Sequence, residues 1–212
     1  PSKAPADEVG EGVRQDLSYV TALGKRIKAA GLKFLLDFHY SDSWADPVKQ
    51  YTPDAWKSLN DAELYAKVYS YTKECLQTLK DAGAEPDFIQ TGNEISYGML
   101  WGEKGGSLKK CYTNNDANWL RFTNLLKQAG KACREVCPQA KIIIHTERVA
   151  NQNVQKGFYD RMKSAGVDYD VIGTSFYSYY HGTLETLESS INMLETNFPD
   201  KDIWLVEVGY YY

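Results

Sequence analysis

Most of the features that announce a function class are missing from these 212 residues. No stretch approaches the roughly 18 to 20 consecutive apolar residues of a membrane-spanning helix, and Pro1-Ser2-Lys3-Ala4-Pro5 lacks the basic and apolar regions of an export signal. Neither sign of charge dominates: 24 basic and 28 acidic residues are interspersed and leave a net charge of −4, which provides no electrostatic footprint for nucleic acid or an anionic membrane. No GxGxxG or GxxxxGK[ST] loop follows any predicted strand to receive a phosphate. Only three histidines are present, with no HExxH and no Cys/His cluster, so zinc hydrolysis is not expected and no metal ligand is assigned. The four cysteines (Cys75, Cys111, Cys133, Cys137) show no CxxC spacing. Cys75 and Cys133 fall on apolar helical positions and read as reduced core residues, while Cys111 with Cys133 or Cys137 stays open as a disulfide in an exported protein.

What is abundant is aromatic and apolar. Hydrophobic residues make up 43 %, enough to bury one sizeable core, and 16 tyrosines and 5 tryptophans suit either core packing or stacking on sugar rings. A neutral or polar substrate fits this composition.

Helix and strand patterns alternate from end to end, the mark of βα units around a parallel sheet. Val13, Leu17, Val20, Gly24 and Ile27 form a helical stripe that stops at Gly31, and Phe34–Tyr40 follows as a buried strand. A second stripe (Leu64, Val68, Tyr71, Cys75, Leu79) has Asp61 as its N-cap and Gly83 as its stop, then Phe88–Gly92 reads as a strand. A long polar excursion from Ser96 to Asp116 precedes a helix carrying Phe122, Leu126, Ala129, Cys133 and Val136, ended by Pro138; loops of that length usually carry function. Lys141–His145, a helix around Val154, Phe158 and Met162, Asp170–Tyr177, a helix with Leu184, Leu187, Ile191, Leu194 and Phe198, and Ile203–Glu207 complete the series. Five strands do not close an eight-stranded barrel. The expectation is a single catalytic (β/α)8 TIM-barrel domain over residues 1–212, incomplete at both ends and covering five central βα units, with strands one, two and eight missing. An open doubly wound sheet is the structural alternative.

Two of these strands end in a glutamate: Gln90-Thr91-Gly92-Asn93-Glu94-Ile95 and Trp204-Leu205-Val206-Glu207-Val208-Gly209. In a parallel barrel the carboxyl ends of the strands converge on one face, so glutamates remote in sequence can meet across a pocket. Paired carboxylates there are the working parts of a glycoside hydrolase. His39 and His145 also close strands and would line the floor of a sugar subsite; the plainer reading of each is a buried histidine bonded to a backbone carbonyl. Trp44 and Trp101 fall in loops after the first two strands, where a flat indole can stack on a sugar ring or simply pack. Asp37, in an apolar strand, needs a partner, which is expected from the missing strands.

Leu36-Asp37-Phe38-His39-Tyr40-Ser41-Asp42-Ser43-Trp44-Ala45-Asp46-Pro47, Thr91-Gly92-Asn93-Glu94-Ile95 with Gly98-Met99-Leu100-Trp101, and Ser175-Phe176-Tyr177 with His181-Gly182 resemble glycoside hydrolase family 53. These are the arabinogalactan endo-β-1,4-galactanases, within the clan of retaining (β/α)8 hydrolases. The similarity runs from about Phe34 to Tyr210. It implies Glu94 as general acid/base and Glu207 as nucleophile, Asn93 gripping the sugar 2-hydroxyl, Tyr177 donating its hydroxyl to Glu207, and His39, Trp44, Trp101, His145 and His181 as substrate-binding residues. A retaining mechanism sets the two carboxyl groups roughly 5 to 5.5 Å apart, one protonated and one ionised. Two departures stand out: Ser178 and Tyr180 replace the family's commoner Pro and Trp, and Thr146-Glu147-Arg148 replaces its Asp, Asn and Gly after the strand ending at His145.

The resemblance implies an endo-acting enzyme on β-1,4-galactan in pectic side chains, secreted or at the cell surface and monomeric. It implies no cofactor, apart from a structural calcium in some bacterial members whose ligands would lie past Tyr212 and cannot be assigned. Two rival readings remain at this stage: a clan hydrolase acting on mannan, glucan or xylan, and a non-catalytic glycan-binding protein whose carboxylates are misplaced.

Overall fold

Most residues of the predicted helical stripes face the core, although Val154 and Leu184, at the heads of theirs, stay exposed. Leu17, Val20 and Ile27 form the core-facing side of α1 (Leu17–Ala29), whose first turn is closed by Asp16 accepting the Ser18 and Tyr19 N–H groups. Val13, at the head of that stripe, falls outside residues 15–210, which are those the computed structural model describes. In α2 (Asp61–Asp81) the cap is Asn60 rather than the expected Asp61. The Asn60 side chain accepts the Glu63 N–H while the Glu63 carboxylate accepts the Asn60 N–H, a reciprocal box that leaves Asp61 free to pair with Arg121 and Lys109. The remaining helices are α3 (Asp116–Val136), α4 (Gln152–Ala165, ended by Gly166 in the left-handed conformation), the single-turn α5 (Ser178–His181) and α6 (Leu184–Asn197).

The strands β1 (Leu35–Asp37), β2 (Phe88–Gln90), β3 (Lys141–Thr146), β4 (Val171–Tyr177) and β5 (Asp202–Gly209) are all parallel and lie side by side in chain order. That order, with helices alternating along the chain, is the arrangement of part of a (β/α)8 barrel. β1 and β2 are shorter than the apolar runs suggest. After Asp37 the chain keeps one sheet bond, Phe38 N–H to Gln90 O, and then turns away through Tyr40 at φ 49°.

Core packing between helices and sheet draws on Leu76, Leu79, Ile89, Phe122, Leu125, Ile142, Tyr159 and Phe198, all essentially inaccessible to water. All four cysteines are buried there as free thiols, so neither of the open Cys111 pairings forms. The long excursion after β2 is not a loose flap: Ile95, Met99, Leu100, Trp101 and Cys111 are buried, and Arg121 from α3 donates to the carbonyls of Leu100 and Met99 beneath it.

Between β4 and β5 the register slips. Thr174 pairs with Leu205 but Ser175 pairs with Glu207, leaving Val206 as the extra residue of a bulge. Bulges re-aim side chains, and this one turns Glu207 toward the carboxyl ends of β2 and β3.

Candidate active site

Glu94 does not sit on β2 itself but at the end of a tight turn after it. Gly92, at φ 120°, makes that turn; a Cβ there would lie 2.7 Å from Ile95 Cγ2, so only glycine fits. Glu94 itself adopts φ 47°, a left-handed conformation that costs a non-glycine residue about 1 to 3 kcal/mol. Neighbouring bonds over-determine it: the Glu94 N–H points at His145 Nδ1 (3.3 Å), the Ile95 N–H at His145 O (3.0 Å), and Gln50 Nε2 donates to Asn93 O (2.7 Å).

Glu207 arrives from β5 through the bulge. One carboxylate oxygen of Glu207, one of Glu94 and a ring nitrogen of His145 lie within 4.8 Å of one another. Three such donors could hold an ion, but both ring nitrogens of His145 are already engaged within the protein. The Tyr177 hydroxyl donates to Glu207 Oε1, as the sequence led us to expect, and the phenol ring rests on Gly209, where a Cβ would approach Tyr177 Cε1 to 2.5 Å.

The two carboxyls live in different surroundings. Glu94 is 9 % exposed, and burial pushes its carboxyl up to about 7, assisted by the negative charges of Glu207, Asp46 and Asp37 and opposed by the Ser175 hydroxyl, which donates to Oε1 at 2.6 Å. A group poised there can give a proton in one step and take it back in the next.

His39 and Asp37 form a pair at the end of β1, with Nε2 to Oδ2 at 3.2 Å, while Nδ1 accepts the Ala45 N–H at 2.9 Å. The partner of Asp37 is thus His39 rather than a residue of another strand, although Asp37 Oδ1 stays buried with no partner among the described residues. Burial works against a charged His39 ring, but Asp37, Glu207 and Glu94 together outweigh it and raise its pKa.

Two sequence expectations need correction. Trp101 is only 1 % exposed, donates its indole N–H to Tyr97 O and packs edge-on against Tyr51, so it is a core residue and not a stacking platform. His145 is fully buried and contacts Gln90, Asn93, Ser175 and the Glu94 backbone; it supports the site from behind instead of touching sugar. His181, as exposed as Glu94, accepts the Tyr177 N–H at Nδ1 and so stands at the end of β4. Trp44, by contrast, is 47 % exposed in the loop after β1. Asn93 ties its amide to Ala45 O and to His145, which orients it beside Glu94.

Other residues of the site escaped the sequence reading. Ser175 bonds Glu94 directly, a role that its place in the Ser175-Phe176-Tyr177 string did not reveal. Glu147, in the departing Thr146-Glu147-Arg148 string, is nearly buried; burial pushes its carboxyl up to about 7, it accepts from Ser96 Oγ at 2.5 Å, and it pairs at 3.0 Å with Arg148 Nε, which donates to that same Ser96 Oγ. The Arg148 guanidinium lies 3.9 Å over the Tyr97 ring. Tyr180, 76 % exposed and packed against Tyr177 and Tyr179, adds an aromatic rim.

With this geometry in hand, similarity to known proteins is informative. The family profile described as Glycosyl hydrolase family 53 matches residues 1–212. The chain is 37 % identical over 204 residues to a probable arabinogalactan endo-beta-1,4-galactanase A of Neosartorya fischeri, covering 92 % of this chain and 54 % of that protein. It is 31 % identical over 211 residues to an endo-beta-1,4-galactanase of Bacillus subtilis, covering 98 % of this chain and 46 % of that one. Among solved structures, the Ignisphaera aggregans GH53 catalytic domain superposes with a TM-score of 0.83 at 40 % identity, over 92 % of this chain and 51 % of that one. The chain therefore spans about half the length of the relatives it matches.

Proposed function

Because this chain belongs to glycosyl hydrolase family 53, we propose that it carries the catalytic centre of an endo-acting, retaining β-1,4-galactanase, with Glu94 as acid/base and Glu207 as nucleophile. The substrate on this reading is the (arabino)galactan of pectic side chains. A polymer of that size does not cross a membrane, so the enzyme works outside the cell. No helix among the described residues is long and apolar enough to cross a membrane.

The observation that carries the reading is the approach of the two carboxylates to within 4.8 Å. An inverting enzyme needs room for a water and holds its carboxyls roughly 6.5 to 9.5 Å apart, whereas direct attack by one carboxylate requires about 5 to 5.5 Å. In the first step a Glu207 oxygen bonds to the anomeric carbon as the glycosidic C–O bond breaks, and Glu94 gives its proton to the departing oxygen. In the second, water replaces Glu207 at the same carbon and Glu94 takes the water's proton. Tyr177 stabilises Glu207 as it recovers its charge, and Trp44 and Tyr180 offer apolar faces to flanking sugars.

The test is Glu207→Gln in the intact protein, assayed by reducing-sugar release from galactan beside mannan, glucan and xylan. Turnover of galactan is expected to fall by at least about three orders of magnitude while galacto-oligosaccharide binding persists. Full galactanase activity in the variant would dispose of the assignment, and wild-type hydrolysis of another glycan in preference to galactan would change the substrate.

A further inference from the structure

Ser175 and His145 are both completely buried, stand in line behind Glu94, and have no part in the double displacement as written above. Ser175 Oγ lies 2.6 Å from Glu94 Oε1 and 2.7 Å from His145 Nε2. On the other side of the imidazole, the backbone N–H of Glu94 itself points at Nδ1 from 3.3 Å, and Gln90 Nε2 is 3.0 Å from the same nitrogen.

The directions are set from both ends of the chain: an ionised Glu94 carboxylate only accepts, so Ser175 Oγ donates to Oε1 and takes its own hydrogen from Nε2, and at the far side the Glu94 backbone N–H faces Nδ1. A side-chain amide can be turned over, but a backbone N–H always donates, so Nδ1 accepts. Asn93 Oδ1, whose amide nitrogen is committed to Ala45 O, lies 3.0 Å from Nδ1, so two acceptors face each other there, and the Gln90 amide, 3.0 Å from Nδ1 and 3.4 Å from Oδ1, supplies hydrogen to both. Burial lowers the pKa of His145 to about 4, so the ring is neutral at working pH and its single proton is on Nε2. That N–H donates to Ser175 Oγ. The Ser175 hydroxyl hydrogen is then left with Glu94 Oε1 as its acceptor.

We propose that His145 and Ser175 are positioning residues that present a fixed O–H to Glu94 Oε1 and thereby confine the transferable proton to the other oxygen, Oε2. A proton on Oε1 would place two hydrogens between the same pair of oxygens. The two buried side chains thus fix which oxygen of the Glu94 carboxyl does the chemistry. This inference rests on the acid/base reading of Glu94. The same O–H favours the ionised carboxyl, as a charged His39 ring does, and both are set against Glu207 from β5, Asp37 from β1, Asp46 from the loop after β1 and Glu147 just past β3.

Ser175→Ala deletes the donor and nothing else of size. In the intact protein, the alkaline limb of kcat/KM on galactan is expected to move up by about one pH unit, since a hydrogen bond to a charged group is worth roughly that much. Below the limb, kcat on galactan falls about tenfold, whereas an activated aryl β-galactoside, whose leaving group needs no proton, loses less than about threefold. Ser175→Thr keeps the hydroxyl and restores the limb; Ser175→Cys, with a weaker donor, gives an intermediate shift and serves if the alanine variant does not fold. An unmoved limb in a folded Ala or Cys variant, or equal losses on both substrates, overturns the proposal. Glu94→Ala separates this from the underlying reading: an acid/base residue leaves the activated substrate turning over and open to rescue by azide, and failure there removes the role of Glu94 whatever Ser175 does.

Discussion

Replacing Tyr177 by Phe tests how the site handles the charge on Glu207. The hydroxyl donates to Glu207 Oε1, its one hydrogen-bond partner among the described residues, while the ring lies against Gly209. A phenylalanine keeps the ring contact and removes one charge-assisted bond. Such bonds are worth about 1.5 to 3 kcal/mol, and because Tyr177 is only half-buried the lower end applies, which corresponds to roughly tenfold in a rate. Which rate is affected follows from where the charge is. On the proposed double displacement Glu207 loses its charge when it attacks the sugar and regains it when water displaces it, so the donor assists release of the glycosyl-enzyme and not its formation. With an activated aryl galactoside, where release limits turnover, kcat should fall about tenfold, a burst of aryl alcohol equal to the enzyme concentration should appear, and kcat/KM should change by less than about threefold. The melting temperature should stay within about 2 °C of the wild type. A tenfold loss in kcat/KM with no burst would show that Tyr177 acts before the covalent step, and unchanged kinetics would show that its hydroxyl does not stabilise Glu207 at all.

Other expectations follow from the same geometry. With Glu94 as the proposed acid, formation of the glycosyl-enzyme needs its protonated form, present below a pKa of about 7 and lost above it, so kcat/KM on galactan should fall about tenfold per pH unit beyond about 7; a profile flat to pH 9 would contradict this. Trp101→Ala should destabilise the protein by about 3 to 5 kcal/mol in denaturant unfolding, whereas Trp44→Ala should change stability by no more than about 0.5 kcal/mol and raise KM for long galactans. Gly173→Ala should cost about 1 to 3 kcal/mol, because its Cβ would come within 2.8 Å of Ile143 Cγ2 and 3.1 Å of Val206 Cγ2; an unchanged unfolding midpoint would mean that the bulge yields freely.

The alternation of helices and strands was legible residue by residue. Stripes such as Leu64, Val68, Cys75 and Leu79, and runs such as Ile142-Ile143-Ile144, record which faces are buried, and burial of a face is a local, periodic property of the chain. The two glutamates could be found because each follows an apolar strand and because parallel strands bring their ends to one side. The aspartate-to-asparagine error at the start of α2 and the overlong β1 are end effects, settled by which side chain reaches an unpaired N–H and by a turn at Tyr40 that hydrophobicity does not register.

What the sequence by itself determined, then, was the succession of elements and the presence of Glu94, Glu207, Tyr177 and Trp44 at the carboxyl ends of strands. The tertiary structure alone decided how those ends meet. The slip between Thr174 and Ser175 that aims Glu207, the left-handed backbone of Glu94, the withdrawal of Trp101 and His145 into the interior, and the line from His145 through Ser175 to Glu94 all depend on contacts between segments that are dozens of residues apart. Periodicity reports whether a residue faces inward; it holds no information on the register of one strand against the next, and it is the register that decides which inward-facing groups touch.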